Sequence, residues 1–236
     1  LEDTVLFHFG YPPLMKTMYA NHGAELIEIF RRMKAHDIAT SLDFAAIDPN
    51  SEAGKADWRQ ILRGVLPYVD FFVPSFEELC FMLDRSRYER LSARGGDMTE
   101  GLDLSAEADP LAEELLDMGC KVVVIKCGTS GMIFRTAGRE QIEQIGGKMR
   151  LDIEAWSEKA GHQPCFRADI VRSGTGAGDT SIAAFLTAML QGFSPAECVR
   201  FASAEGASCV TAYDALSGLK TIPELDDRIR RGWETM

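Results

Sequence analysis

An α/β fold with a largely parallel sheet is predicted by three features of this 236-residue sequence. Strand-sized apolar runs alternate with amphipathic segments, the pattern of β-α-β units whose helices cover a sheet. Helix caps and turn residues fall at the joints between them. A glycine-rich turn at residues 174–178 separates a short apolar stretch from a strongly helical one. Composition agrees, since 46% hydrophobic and 26% charged residues are globular values that exclude a disordered, collagen-like or coiled-coil chain. The net charge of −11 would repel a phosphate backbone, which argues against nucleic acid as a partner.

The elements follow in order. Residues 4–9 read as a buried strand, and the amphipathic residues 24–34 form a helix crossing to a second strand at 38–44. A helix over 56–66 leads to a short strand at 71–73, which Pro74 stops. Ser75 is an N-cap with Glu78 as its capping-box partner, for a helix through Leu83. Residues 85–104, rich in arginine and glycine, read as a surface excursion without a core element. A helix over 111–118, closed by Gly119, feeds a strand at 121–127. The turn at 128–131 joins it to an antiparallel strand at 132–135, and residues 141–145 extend that meander. Residues 146–163 read as loop with some helix, and 166–171 as a short strand. Helices over 180–190 and 196–210 follow, the second with Pro195 in its first turn. One α/β core domain over 1–236 is expected, with flexible excursions at 85–104 and 146–163.

The six cysteines include no C-x-x-C pair, and a chain of this size is stable without disulfides, so they read as reduced thiols of a cytoplasmic protein. The four histidines have no zinc-site spacing. No apolar run approaches the roughly 20 residues of a membrane-spanning helix, so no membrane partner is expected.

The segment Gly174-Thr175-Gly176-Ala177-Gly178-Asp179-Thr180 carries the most chemistry. Glycine lets backbone N–H groups converge, leaves room for a phosphate, and the unpaired N–H groups of a first helical turn favour negative charge. A Walker A loop requires Lys and then Ser or Thr after its last glycine, whereas Gly178 is followed by Asp179. A dinucleotide turn requires G-x-G-x-x-G and an acid closing the next strand, whereas this spacing is G-x-G-x-G and helix follows, which excludes a nicotinamide-dependent oxidoreductase. A phosphate nest with a carboxylate at its rim suits phosphoryl transfer: the N–H groups hold the transferring group and the carboxylate takes a hydroxyl proton. The plainer alternatives are a packing turn for the glycines and a dipole-complementing first-turn acid for Asp179.

The same segment resembles the C-terminal signature of the ribokinase-like (PfkB) carbohydrate kinases, roughly D-T-T-G-A-G-D-x-F. Three further landmarks are similar and stand in the family's order: Asp70 to Leu79 around Ser75-x-x-Glu78, Val124 to Gly131, and Phe201 to Pro223. The resemblance implies a three-layer α/β/α ribokinase-like core that transfers a phosphoryl group from ATP, with Mg²⁺, to a hydroxyl of a sugar or related small molecule. It makes Asp179 the general base and Gly176, Ala177 and Gly178 the anion hole. It makes Glu78 a residue acting on Mg²⁺, alongside its capping role, and puts Lys126, Gly128, Gly131, Thr175, Gly206 and Gly218 around the nucleotide.

The sequence departs from the family at Ser173 and Gly174, where an acid or amide and a threonine are usual, and at Ser75, where asparagine is usual. The D-x-N-x-R of members acting on keto-sugar acids is here Asp43-Phe44-Ala45-Ala46-Ile47. The family's substrate-binding Asp, Gly-Gly pair and β lid have no counterpart ahead of Thr4, so the resemblance implies the nucleotide-binding, base-bearing part with the lid absent. Two expectations follow: self-association as a homodimer through exposed apolar surface, and, as the rival to catalysis, a nucleotide-binding fragment lacking the sugar-binding part.

Overall fold

The computed structural model describes residues 1–236 and contains one six-stranded sheet in the order β1-β2-β3-β4-β5-β6. The chain runs β1 (Leu6–Phe9), α1 (Lys16–Tyr19), α2 (Ala24–Ala35), β2 (Ala39–Leu42), α3 (Trp58–Val65) and β3 (Phe71–Phe72). Four helices then precede the next strand: α4 (Phe76–Leu83), α5 (Arg85–Ser92), α6 (Leu104–Glu107) and α7 (Asp109–Asp117). Next come β4 (Val122–Lys126), β5 (Met132–Thr136), α8 (Arg139–Ile142), α9 (Ile153–Trp156) and β6 (Ala160–Gln163). The chain closes with α10 (Ala177–Leu190), α11 (Pro195–Cys209) and α12 (Ile222–Arg230).

β1 to β4 are parallel, and β5 and β6 add antiparallel to one side. Alternation along β4 divides the core between two faces, with Val123 and Ile125 in one apolar cluster and Val122 and Val124 in the other. The first face is covered by α2, α3, α4 and α7, whose Leu26, Phe30, Ile61, Leu62, Leu79 and Leu115 are buried there. The second is covered by α9 to α12 through Trp156, Phe185, Val199, Phe201 and Leu225. The result is a three-layer α/β/α sandwich. No helix is long and apolar enough to cross a membrane.

Several elements differ from their sequence reading. β1 is an edge strand and only half-buried: Phe7 and Phe9 pack edge-on against Phe30, while His8 points to the opposite face and is the most exposed of the four. The stretch at 85–104 contains α5, because Asp84 caps it and Leu91 reaches the core. Residues 141–145 do not extend the sheet; Ile142 closes α8, since Gly138 starts a helical turn that buries it. The partner of β5 is instead β6, within a segment read as loop because its alternation lacks large apolar residues. Residues 166–171 form no strand, and Phe166 makes only an isolated bridge with Thr235. Ile170 and Val171 are exposed, so the apolar letters there do not report burial.

Candidate active site

Ligands of open α/β sheets bind beyond the carboxyl ends of the strands, where loops carry side chains away from a rigid sheet. Here β2 is followed directly by Asp43, β3 leads through Pro74 to the capped start of α4, and β4 ends at Lys126. Three cavities open along this edge. One of about 490 Å³ is lined by Tyr11, Asp43, Glu78, Lys126, Gly176 and Asp179, among others. A second, of about 410 Å³, is more apolar and runs past Gly131, Met132, Phe166, Gly206 and Val210. They share Asp97, Lys126, Gly128 and Gly178 as a common wall. A third, of about 460 Å³, lies on the other side of Asp179 against His8, Ile182 and Leu186.

The glycine-rich turn sits at the junction. Gly176 caps α10 in a left-handed conformation, φ 83°, and a side chain there would collide with Ala215. Ala177 N–H donates to the Gly174 carbonyl at 3.2 Å, so of the three predicted hole residues it is already engaged. The N–H groups of Gly176, Gly178 and Asp179 have no acceptor in the protein and remain free for an anion. Gly178 lies close to Lys126, whose Nζ would be 3.7 Å from a Cβ at that position.

Lys126 and Asp43 form a buried ion pair at 2.9 Å, with side chains 12% and 4% exposed. Burial pushes the Asp43 carboxyl up, and the Lys126 ammonium pulls it back. Glu78 is also pushed up by burial, with Lys126 opposing. Its Oε2 accepts from Ser75 N–H at 2.7 Å while Ser75 Oγ accepts from Glu78 N–H at 3.2 Å, so the predicted capping box exists in full. Asp179, in the first turn of α10, is exposed to the cavities and accepts a hydrogen bond from the Tyr11 hydroxyl. His8 is hydrogen-bonded to Ser41 Oγ at 3.0 Å; burial and then the Lys126 charge hold its imidazole below the usual value, against Asp179.

Of the predicted residues, Gly176, Gly178, Asp179, Glu78, Lys126 and Gly128 meet in the first cavity, and Gly131, Ala177 and Gly206 in the second. Thr175 and Gly218 line neither. A Cβ on Gly218 would stand 2.6 Å from the Ser208 carbonyl oxygen, so its smallness serves packing. The loop carrying it braces the glycine-rich turn instead: Ala215 backs Gly176, and Cys209 Sγ lies 3.6 Å from the Thr175 carbonyl oxygen and 3.8 Å from that of Ala215. Sequence reasoning did not select Tyr11, His8, Asp43, Asp97 or Thr99. Asp43 directly follows β2, Tyr11 stands two residues beyond β1 and His8 lies within that strand, so position at a strand's carboxyl end is a usable signal for the first two. Asp97 and Thr99 reach the cavity because the excursion folds back, with Ser130 Oγ donating to the Thr99 carbonyl at 2.6 Å, and no local pattern announces that.

Residues 26–222 match the pfkB family of carbohydrate kinases, which is most of the chain. Ribokinase of Arabidopsis thaliana is 33% identical over 111 residues, 47% of this chain and 23% of that protein. Fructokinase with bound ATP from Xylella fastidiosa superposes at a TM-score of 0.65 and 20% identity, covering 98% of this chain and 62% of that one. A ribokinase II from E. coli in complex with ATP and Mg²⁺ gives 0.64 at 21%, covering 98% and 60%. The chain belongs to the pfkB carbohydrate kinase family and has its ribokinase-like three-layer fold. It spans about three-fifths of the length of these two structures and about a quarter of the curated relative.

Proposed function

We propose that this chain carries the phosphoryl-transfer centre of a sugar kinase, moving the γ-phosphoryl of ATP to a hydroxyl of a sugar or related small molecule. The observation that carries the reading is the junction of cavities, where free N–H groups of the glycine-rich turn and the Asp179 carboxylate face one space. The 410 Å³ cavity, with its apolar lining, suits the nucleotide base, and the acceptor approaches Asp179 from the side of Tyr11 and His8. Asp179 takes the proton of the acceptor hydroxyl. That oxygen's electron pair forms the bond to the γ-phosphorus, and the bond to the bridging oxygen breaks with its electrons leaving on ADP. Gly176, Gly178 and Asp179 N–H groups, with Lys126 beside them, stabilise the charge on the group in transit.

A divalent cation fits these residues. Asp43, Glu77, Glu78, Asp97 and Asp179 line the 490 Å³ cavity against the single ammonium of Lys126, so bare phosphates would meet a repulsive wall. No three side chains converge into a metal cage, and Mg²⁺ needs none, since it keeps waters and phosphate oxygens as ligands. Glu78, partly through water, would hold it, and the ion would supply charge neutralisation across the phosphates. Replacing Asp179 by Asn tests the assignment of the base. Transfer to a panel of sugars should fall about 10²–10⁴-fold while ATP binding by calorimetry persists. Equal rates in both proteins would refute it, and ATP binding with no turnover in the unaltered chain would favour the nucleotide-binding fragment.

A further inference from the structure

Asp179 is not an empty carboxylate. The hydroxyl of Tyr11, 168 residues earlier, donates to it from the far side of the cavity junction. The contact is held at a conformational cost: Tyr11 has φ 63° and ψ 43°, a left-handed geometry unfavourable for a bulky residue. On its upstream side Gly10 has only the tip of His8 near it. Downstream, Pro12 and Pro13 are buried in a short turn, and Tyr11 N–H reaches the Asp43 carbonyl at 3.3 Å. The ring lines both acceptor-side cavities and is partly exposed. A phenol on this carboxylate is a hydroxyl donor seated where an acceptor hydroxyl would sit, beside free N–H groups that await a phosphoryl group.

We propose that Tyr11 is a gate on Asp179: with no acceptor bound its hydroxyl occupies Oδ1, the oxygen an attacking hydroxyl would use, and the acceptor hydroxyl displaces it. This rests on the reading of Asp179 as the base. Water held on Oδ1, next to an anion hole, would hydrolyse ATP; the carboxylate is otherwise exposed, and Tyr11 is the side chain that occupies that oxygen. The charged and titratable groups that share the two cavities with the pair are His8 from β1, Asp43 beyond β2, Glu77 and Glu78 from α4, Asp97 from the segment after α5 and Lys126 from β4. Asp179, through its hydrogen bond and charge, raises the Tyr11 phenol far above the usual value, with burial, Asp43 and Glu78 adding to it.

Two measurements on the intact protein, with wild type, Tyr11→Phe and Asp179→Asn compared, test the gate. In the first, ultraviolet titration follows the five tyrosines. The last to ionise should vanish in Tyr11→Phe and fall toward the ordinary range in Asp179→Asn, burial, Asp43 and Glu78 still raising it; identical curves for wild type and Asp179→Asn would overturn the proposal. In the second, Mg-ATP alone is the probe. Tyr11→Phe keeps the ring and should raise acceptor-free hydrolysis about tenfold or more, the rate equivalent of releasing one hydrogen bond to a charged group. Asp179→Asn added to Tyr11→Phe should remove that gain. Hydrolysis no faster in Tyr11→Phe than in wild type overturns the gate, as does phosphate found on Tyr11 after incubation. Loss of sugar transfer in Asp179→Asn reports on the base separately, so the two readings fail independently.

Discussion

Two buried aspartates, Asp43 and Asp70, lie at opposite ends of the same strands, each against a lysine, and they are used differently. Asp70, before β3, accepts Lys34 Nζ at 2.9 and 2.8 Å on its two oxygens and Thr40 N–H at 2.9 Å, with Lys121 Nζ 3.8 Å away. Lys34 also donates to the Gln144 carbonyl at 2.9 Å, so one carboxylate joins α2, β2, β4 and the segment after α8. Asp43, beyond β2, has one side-chain partner, Lys126, and both line a cavity. A saturated pair at the closed end of the sheet clamps the fold. A half-used pair at the open end keeps donors and acceptors for a ligand, at the cost of burying charge that is incompletely compensated.

The sharpest way to break this contrast is to remove Asp70. Asp70→Ala leaves two lysines and the Thr40 N–H without their partner, and urea unfolding should show a loss of about 3–5 kcal/mol, with ATP affinity of the folded fraction unchanged. A loss near zero would mean that the clamp is not holding the layers. Lys126→Met should give the opposite split. Its stem is kept and Asp43, already pushed up by burial, can take a proton, so stability should change by roughly 1 kcal/mol or less. ATP affinity measured by calorimetry should fall about 10-fold to 100-fold, the worth of a charge-assisted contact to phosphate. Equal losses of stability from both substitutions would erase the distinction.

The two ends also differ in how much of them the sequence discloses. The capped helix from Ser75 and the glycine-rich turn are legible because each is local: the residues that make the structure are within a few positions of one another. The same holds for the β4–β5 hairpin and its glycines. Tyr11 on Asp179 and Lys126 on Asp43 join positions 168 and 83 residues apart, and nothing in either local sequence names its partner. β6 was hidden for another reason. Ala160-Gly161-His162-Gln163 has no apolar alternation, and Gly161 is there because a Cβ would run into the Phe134 ring. The closed end was less legible still: Lys34 reads as a solvated residue in the last turn of α2, and only the packed helix brings it to Asp70.

Within the open end, the glycines of one turn should separate packing from binding. Gly176→Ala forces a left-handed backbone and a collision with Ala215, and should cost about 1–2 kcal/mol in thermal or urea unfolding. Gly174→Ala, with φ outside the left-handed region and no atom within 4 Å of the added Cβ, should stay within about 0.5 kcal/mol. A large loss from Gly174→Ala would mean that the turn is constrained by contacts the present packing does not contain.

The smallest expected effect is a pH slope confined to the open end. His8 is held below its usual 6.5 by burial and by Lys126, so as pH falls the unfolded chain takes this proton before the folded one. More protons bound in the unfolded state means that stability rises with pH in this window: the contribution is whole above 6.5 and is lost as pH falls below it. His8→Gln keeps a polar side chain next to Ser41 Oγ but cannot titrate, so unfolding midpoints followed from about pH 8 to 5 should lose part of the acid-side decline. The Asp70 clamp contains no histidine, and Asp70→Ala should lower the whole curve without removing that decline. An unchanged slope in His8→Gln would mean that this imidazole is not depressed in the folded chain, by burial or by the Lys126 charge that reaches the acceptor side of the site.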